Sequence, residues 1–281
     1  MTTQDEETMQ PDNEDFTLCR RIEAEILKKT KGIEPFKEGI SLLLRRAIDE
    51  VIDAPRTGRF TIEETEKTEK TYLGTKVEIL LRSWLGFPKG KILDLEIDGI
   101  ETDVKNTMSD SWMIPVEAIA RPCLLVTTDE VHARYSVGVF IAREEHLRPA
   151  PNRDGKRGIS ATGRQNIHWI VKDGDYPKNI WEGISSEVRA AIANQPSGTK
   201  RVDALFRYVQ NEPISRSQIL AVARQKDAMK RLRKNGGARD TLARDRIVLL
   251  SGNYDGAEIE RLGLPKCRRD EFISHTITDE A

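Results

Sequence analysis

Residues 92–107 read ILDLEIDGIETDVKNT, with Asp98-Gly99 between two segments of alternating character. Asp-Gly in that setting is a two-residue hairpin loop, because both loop positions must take positive φ. A two-residue loop fixes the ladder: Ile97 faces Ile100, Glu96 faces Glu101 and Asp94 faces Asp103. Period two then gathers Leu93, Leu95, Ile97, Ile100 and Val104 on one surface, and Asp94, Glu96, Glu101, Asp103 and Lys105 on the other. An amphipathic hairpin with a solvated outer face explains the alternation. It does not explain carboxylates set opposite one another, which cost about 0.2–1 kcal/mol per pair. A divalent cation between Asp94 and Asp103 turns that repulsion into attraction. Lys105 shares their surface and is placed to reach a phosphate held by the cation.

The helix feeding this hairpin extends the site. Residues 68–85 (TEKTYLGTKVEILLRSWL) carry Leu73, Val77, Leu80, Leu81 and Trp84 at helical spacing. Glu78 borders that stripe, where a partly desolvated carboxylate needs a cation or a donor. The expectation is that Glu78 points into the same cleft as Asp94 and Asp103. After the hairpin come a short helix near Val116–Ala120 and apolar strands at Cys123–Thr127 and about Ala133–Ala142. Two helices precede it, around Phe16–Thr30 and Lys37–Asp53. The first half is therefore α/β, a mixed central sheet flanked by helices.

Charge and composition bound the rest. The 281 residues suffice for two domains, and 38% hydrophobic content supports a core. A formal net charge of −1 gives no general attraction for nucleic acid, so local charge has to supply it. Cys19, Cys123 and Cys267 are odd in number and far apart, which excludes a disulfide framework and suits a reducing cytoplasm. No apolar run approaches the roughly 18 residues of a membrane span, so a soluble cytoplasmic protein without membrane partners is expected. Residues 1–15 are acidic and read as a disordered tail. His132, His146, His168 and His275 lack ligand spacing, and no G-x-S-x-G or Walker pattern occurs, leaving serine nucleophiles and nucleotide cofactors unsupported.

The second half is read as a separate domain, 181–281, joined to 16–165 by a linker at 166–180 rich in polar and turn residues. Helices are expected near Ser185–Asn194, Val202–Gln210, Ser215–Ala223 and Lys226–Asn235, then a strand at Arg246–Leu250. Short helices followed by a β wing suit a winged helix-turn-helix. Lys226, Lys230, Arg231, Arg233, Lys234 and Arg239 crowd one helix and its exit with few acids nearby, which favours DNA phosphate contact over a merely solvated face.

An Asp on one strand and Asp-x-Lys on the next is the arrangement of the PD-(D/E)XK nucleases. More specifically, KTEKTYLGTKVEI (67–79), Asp94, TDVKNTMSDSWMIPVEAI (102–119), NRDGKRGISATGR (152–164), VDALFRYV (202–209), DAMKRLRKNGGAR (227–239) and GLP (263–265) resemble the NaeI type II restriction endonucleases. The resemblance spans nearly the whole chain outside the acidic tail, although the family's characterised member extends well beyond GLP.

That resemblance implies a restriction-endonuclease-like domain and a C-terminal CAP-like winged-helix domain. It implies a homodimer that hydrolyses both strands of double-stranded DNA at a short GC-rich palindrome, with Mg²⁺, as part of a restriction-modification system. Each domain then binds its own copy of the site, the second copy acting as activator. Glu78, Asp94, Asp103 and Lys105 match the family's catalytic positions. Asp94, Asp103 and the Val104 carbonyl are the expected metal ligands, with Glu78 holding a second metal or orienting water. Lys105 is either a charge stabiliser or the general base. A repair nickase on the same fold, and a DNA-binding regulator with a dead nuclease domain, are the alternatives.

Overall fold

The computed structural model describes residues 14–224, 229, 232 and 237–277. It divides into two compact units, one comprising residues up to Val51 with Glu66–Lys178, the other Ile52–Thr65 with Asn179–Ala281. Among the described residues no helix is long and apolar enough to cross a membrane.

The first unit opens with α1 (Glu14–Thr30), which buries Cys19, Ile22 and Ile26. Gly32, at φ 124°, turns the chain into α2 (Ile33–Ile52). Pro35 is tolerated there because first-turn N–H groups have no intrahelical acceptor to lose. The chain then visits the other unit through α3 (Ala54–Thr57) and returns as α4 (Lys67–Leu85), ended by Gly86 in the left-handed region. The buried stripe of α4 is Leu73, Val77, Leu81 and Leu85. Trp84, expected in that stripe, is 37% exposed and stacks on Phe36 of α2. The atom that would be a Cβ on Gly39 lies 2.0 Å from its ring, so that glycine makes the helix approach possible.

The hairpin forms as its loop demands. Asp98 (φ 51°) and Gly99 (φ 76°) join β1 (Leu95–Ile97) to β2 (Ile100–Thr107), pairing Ile97 with Ile100 and Glu96 with Glu101. The ladder ends at Leu95–Thr102, one residue short of Asp94 and Asp103. The short β3 (Met113–Ile114) follows, then β4 (Pro122–Asp129) and β5 (Arg134–Ile141). β6 (Arg157–Gly158) pairs with β3, and α5 (Ala161–Gln165) leads into β7 (His168–Asp175).

The main sheet has five strands in the order β1-β2-β4-β5-β7, with β2 and β4 parallel and all other neighbours antiparallel. It is a mixed sheet flanked by helices, as the α/β reading expected. β7 corrects the expected linker at 166–180. Its His-Trp-Ile-Val start is a strand sequence whose signal is blurred by the polar DGDYPK that follows.

Register sorts the two faces. Asp103, Cys123 and Phe140 are cross-strand neighbours and share one face, as do Lys105, Leu125 and Gly138. That face carries a compact apolar cluster of Cys123, Leu125, Phe140, Trp112, Ile114 and Ile159, among others. On the opposite face Tyr135 donates to Lys37 O of α2 at 3.2 Å.

The second unit contains α6 (Ser186–Ala193), α7 (Gly198–Tyr208), β8 (Ile214–Ser215), α8 (Arg216–Ala223), α9 (Ala238–Arg244), β9 (Ile247–Ser251), α10 (Gly256–Arg261) and β10 (Glu271–Thr276). Ser185, Ser197 and Ser215 cap α6, α7 and α8, each accepting a main-chain N–H with its hydroxyl. The strands form an antiparallel sheet in the order β8-β10-β9. Val202, Leu205, Phe206, Ile219, Leu242 and Leu249 lie at the centre of its core.

Candidate functional site

The site is built where the end of the hairpin ladder meets the start of the parallel pairing. β2 delivers Asp103 and Lys105 to one face. The turn before β1 delivers Asp94, whose Oδ2 accepts the Val104 main-chain N–H at 2.8 Å. That bond extends the link between the two segments after regular pairing stops, and it fixes one carboxylate oxygen beside β2.

Lys105 draws the expected ligands together. Its Nζ stands 2.6 Å from Asp103 Oδ2 and 4.0 Å from Asp94 Oδ2, and it donates to Val104 O at 3.2 Å. Oxygens of Asp94, Asp103 and Val104, three of the four residues expected to hold a metal, thus surround a single positive charge. The 2.6 Å contact is an ion pair without hydrogen-bond alignment, so Asp103 Oδ2 is buried with no aligned donor. Two carboxylates and a carbonyl are hard oxygen donors, and a buried carboxylate oxygen without an aligned donor fits a divalent cation.

Burial, reinforced by the Asp94 carboxylate beside it and opposed by Lys105, pushes the Asp103 carboxyl up to about 7. The neighbouring Cys123 thiol is pushed up as well, by burial first and then by the negative charge of Asp103. Such a thiol is a packing group rather than a nucleophile.

Glu78 is held elsewhere. Its Oε1 accepts from Arg82 at 3.0 Å, one helical turn along α4. Among the described residues no group of three or more His, Cys, Asp or Glu side chains gathers as a cation site. The structure therefore brings together Asp94, Asp103, Val104 and Lys105, and leaves Glu78 paired with Arg82.

The second like-charge pair of the hairpin resolves without a metal. Glu101 Oε1 accepts the main-chain N–H groups of Lys91 and Ile92, the latter at 2.9 Å, while Oε2 takes Arg121 at 2.7 Å. These donors, Ile92 first, hold its carboxyl below the usual carboxylate range. Nothing in the hairpin pattern pointed to this role, because Arg121 is remote in sequence.

A groove of about 830 Å³ opens further along the sheet, lined by Trp112, Thr127, Ser136, Arg164 and Trp169 among others. Thr127 and Ser136 extend the alternation of Leu125 and Gly138, so the groove lies on the Asp103–Lys105 face.

Of the cations expected to contact DNA in the second unit, Lys226, Lys230, Arg231, Arg233 and Lys234 lie outside the described residues, as does most of the helix expected at 226–235. Arg239 is described. It opens α9 and stands 3.6 Å from Asp255.

A family model described as Restriction endonuclease NaeI matches residues 24–281. The Type II restriction enzyme NaeI of Lentzea aerocolonigenes is 34% identical over 252 residues, covering 86% of this chain and 79% of that protein.

Proposed function

The chain belongs to the restriction endonuclease NaeI family, and from that premise we propose that it is a homodimer cutting both strands of DNA at a short GC-rich palindrome with Mg²⁺. Membership makes it a DNA-cleaving hydrolase, a restriction endonuclease acting at specific sites. The metal, the kind of site, the assembly and the residue roles are the proposal.

The observation carrying the site assignment is the convergence of Asp94 Oδ2, Asp103 Oδ2 and Val104 O on the Lys105 ammonium. In this reading the three oxygens hold the cation. When bound, it supplies Lewis-acid stabilisation at the scissile phosphate and a water of lowered pKa. Lys105, released from its ion pair, turns to the non-bridging phosphate oxygens and stabilises the negative charge that builds up as water attacks. Glu78 exchanges Arg82 for the attacking water and orients it.

The second unit is proposed as a winged helix that holds an activating second DNA copy. Supporting this are the chain order α7, β8, α8, α9, β9, α10, β10 among the described residues and the sheet order β8-β10-β9. On that reading α9, with Arg239 and Arg244, is the helix that enters a groove.

The test is incubation of supercoiled plasmids of known sequence with purified protein, with Mg²⁺ and with EDTA. Discrete linear fragments seen only with Mg²⁺ support the reading and reveal the site. Nicked circles alone would replace it with a nickase, and a gel shift without cleavage under any plasmid and site density would leave a regulator.

A further inference from the structure

The site leaves unexplained a run of cations in the first unit. Every arginine of that unit from Arg20 to Arg143 has a carboxylate partner; Arg21 pairs with Asp98, Arg121 with Glu101 and Arg143 with Asp15, for example. The pattern stops at Arg148. Among the described residues Arg148, Arg153 and Lys156 have no ion-pair partner. Arg157 and Arg164 direct donors to main-chain carbonyls, Arg157 to Arg148 O at 2.7 Å and Arg164 to Asp110 O at 2.5 Å. Asp154 is the only acid within 148–164. In a chain whose net charge is −1, the five cations of 148–164 against the single Asp154 make a locally positive segment.

The segment that carries these cations is tightly built. Asn152 Oδ1 accepts from Asp154 N at 3.0 Å and from Lys156 N at 2.9 Å, and Arg148 N donates to Gly158 O at 2.7 Å. Ser160 caps α5 by accepting from Gly163 N at 2.9 Å. A Cβ on Gly163 would lie 2.2 Å from His146 O, so only glycine lets α5 close against that carbonyl. Such a frame fixes the backbone from which the exposed side chains extend, which limits the entropy lost on binding.

Its mounting ties it to the central sheet. Leu147 and Ile159, at the base of the segment, belong to the apolar cluster of Cys123, Leu125 and Phe140. Cys123 and Phe140 are the cross-strand neighbours of Asp103. The basic segment therefore stands on the sheet face that bears Asp103 and Lys105.

We propose that residues 148–158 grip the phosphate backbone of the substrate duplex beside the scissile bond, with Arg148, Arg153 and Lys156 as the contacting cations. The inference rests on the nuclease reading, because duplex DNA is the polyanion that this face is there to receive. Contacts of this kind fix register on the duplex without reading bases.

The experiment uses the full chain and the double variant Arg153→Gln/Lys156→Gln, whose exposed positions leave the fold intact, as a thermal melt verifies. Lys28→Gln/Lys37→Gln, changing exposed lysines of α1 and α2, is the control. Loss of two phosphate contacts lowers the slope of log Kd against log salt by about 2. The expected result is that change with KM raised about tenfold, kcat retained, and the control unchanged. Restoring charge as Arg153→Lys/Lys156→Arg should restore the slope. A wild type that cleaves DNA, alongside a double variant with the same Kd and salt slope, overturns the proposal while sparing the nuclease reading. A wild type that neither binds nor cleaves duplex DNA removes both.

Discussion

Arg121 Nη1 donates to Glu101 Oε2 at 2.7 Å, and the other oxygen of that carboxylate takes the main-chain N–H groups of Lys91 and Ile92. With Glu96 N donating to Pro88 O at 2.9 Å, these bonds hold the turn that carries Asp94. The ladder stops at Leu95, so Asp94 owes its position to this turn and to its own bond with Val104 N. Glu101 is thus a positioning residue for the proposed metal ligand. Glu101→Ala should lower kcat by about 10–100-fold, the usual effect of removing a group that orients a ligand. DNA affinity should hold, and the Mg²⁺ needed for half-maximal rate should rise. Glu101→Gln, which keeps an acceptor for the amides, should recover part of the loss. Wild-type kcat and Mg²⁺ dependence in the alanine variant would remove this role.

Asp103 should make the metal-free protein less stable as pH rises. Its carboxyl moves from an ordinary 3.8 to about 7 in the folded chain, chiefly through burial. Folding therefore favours its neutral form. The sign follows: its contribution is fully present below about 4 and is lost as pH climbs through 7. Asp103→Asn mimics the neutral acid at every pH. In EDTA the variant should match the wild type near pH 4 and exceed it at pH 8 by about 2–4 kcal/mol. Thermal melts across that range measure the difference. A constant gap between the two proteins would show that Asp103 does not titrate in this window. Adding a divalent cation should raise the wild-type Tm and leave the variant's unchanged.

The hairpin was legible because its loop chemistry, alternation and register are local, and Asp98-Gly99 formed the expected turn with Ile97 opposite Ile100. The central sheet followed from strands with continuous apolar runs. Less legible was what depends on distant residues. The Glu96–Glu101 pair looked like a repulsion accepted for function, but Arg121 and two amides satisfy Glu101. Glu78 looked free to join the site, yet Arg82 one turn along its own helix takes it. β7 was hidden by turn-rich neighbours, and the edge position tolerates such a sequence because only one side must pair. The basic segment at 148–158 fell within the expected nuclease domain, but its order was not legible because it comes from Asn152 and Gly163 contacts rather than from periodicity.

Buried charge in the first unit makes a stability prediction independent of DNA. Arg45 and Glu130, with side chains 7% and 3% exposed, meet at 2.7 Å. Tyr176 donates to the other Glu130 oxygen at 2.7 Å. Removing one partner leaves an uncompensated buried charge, so Glu130→Gln should cost about 3–5 kcal/mol. The cost should sit at the low end, because Asp49 also faces Arg45 at 2.8 Å. Arg45→Met/Glu130→Leu, which removes both charges, should destabilise less than the sum of the single changes. Denaturant unfolding of the four proteins gives the coupling. Strict additivity would mean that the pair contributes nothing specific.

Lys105 separates cation binding from catalysis. Its ammonium lies 2.6 Å from Asp103 Oδ2 and 3.2 Å from Val104 O, in the place the proposed metal needs. Two positive charges cannot share that place, so the lysine competes with the cation until it turns to the phosphate. Lys105→Ala should then bind Ca²⁺ or Mg²⁺ more tightly than the wild type, read as a larger metal-induced rise in Tm. The same variant should lose about 10²–10³-fold in kcat, the usual consequence of deleting one group that stabilises transition-state charge. DNA affinity measured with Ca²⁺ should stay close to wild type, since a single contact is lost. A lysine serving only to neutralise Asp94 and Asp103 behaves differently: in that case added Mg²⁺ would replace its charge and restore the rate. Recovery of cleavage at high Mg²⁺ would therefore reduce Lys105 to a structural counter-ion, whereas tight metal binding with lost turnover assigns it to the phosphate.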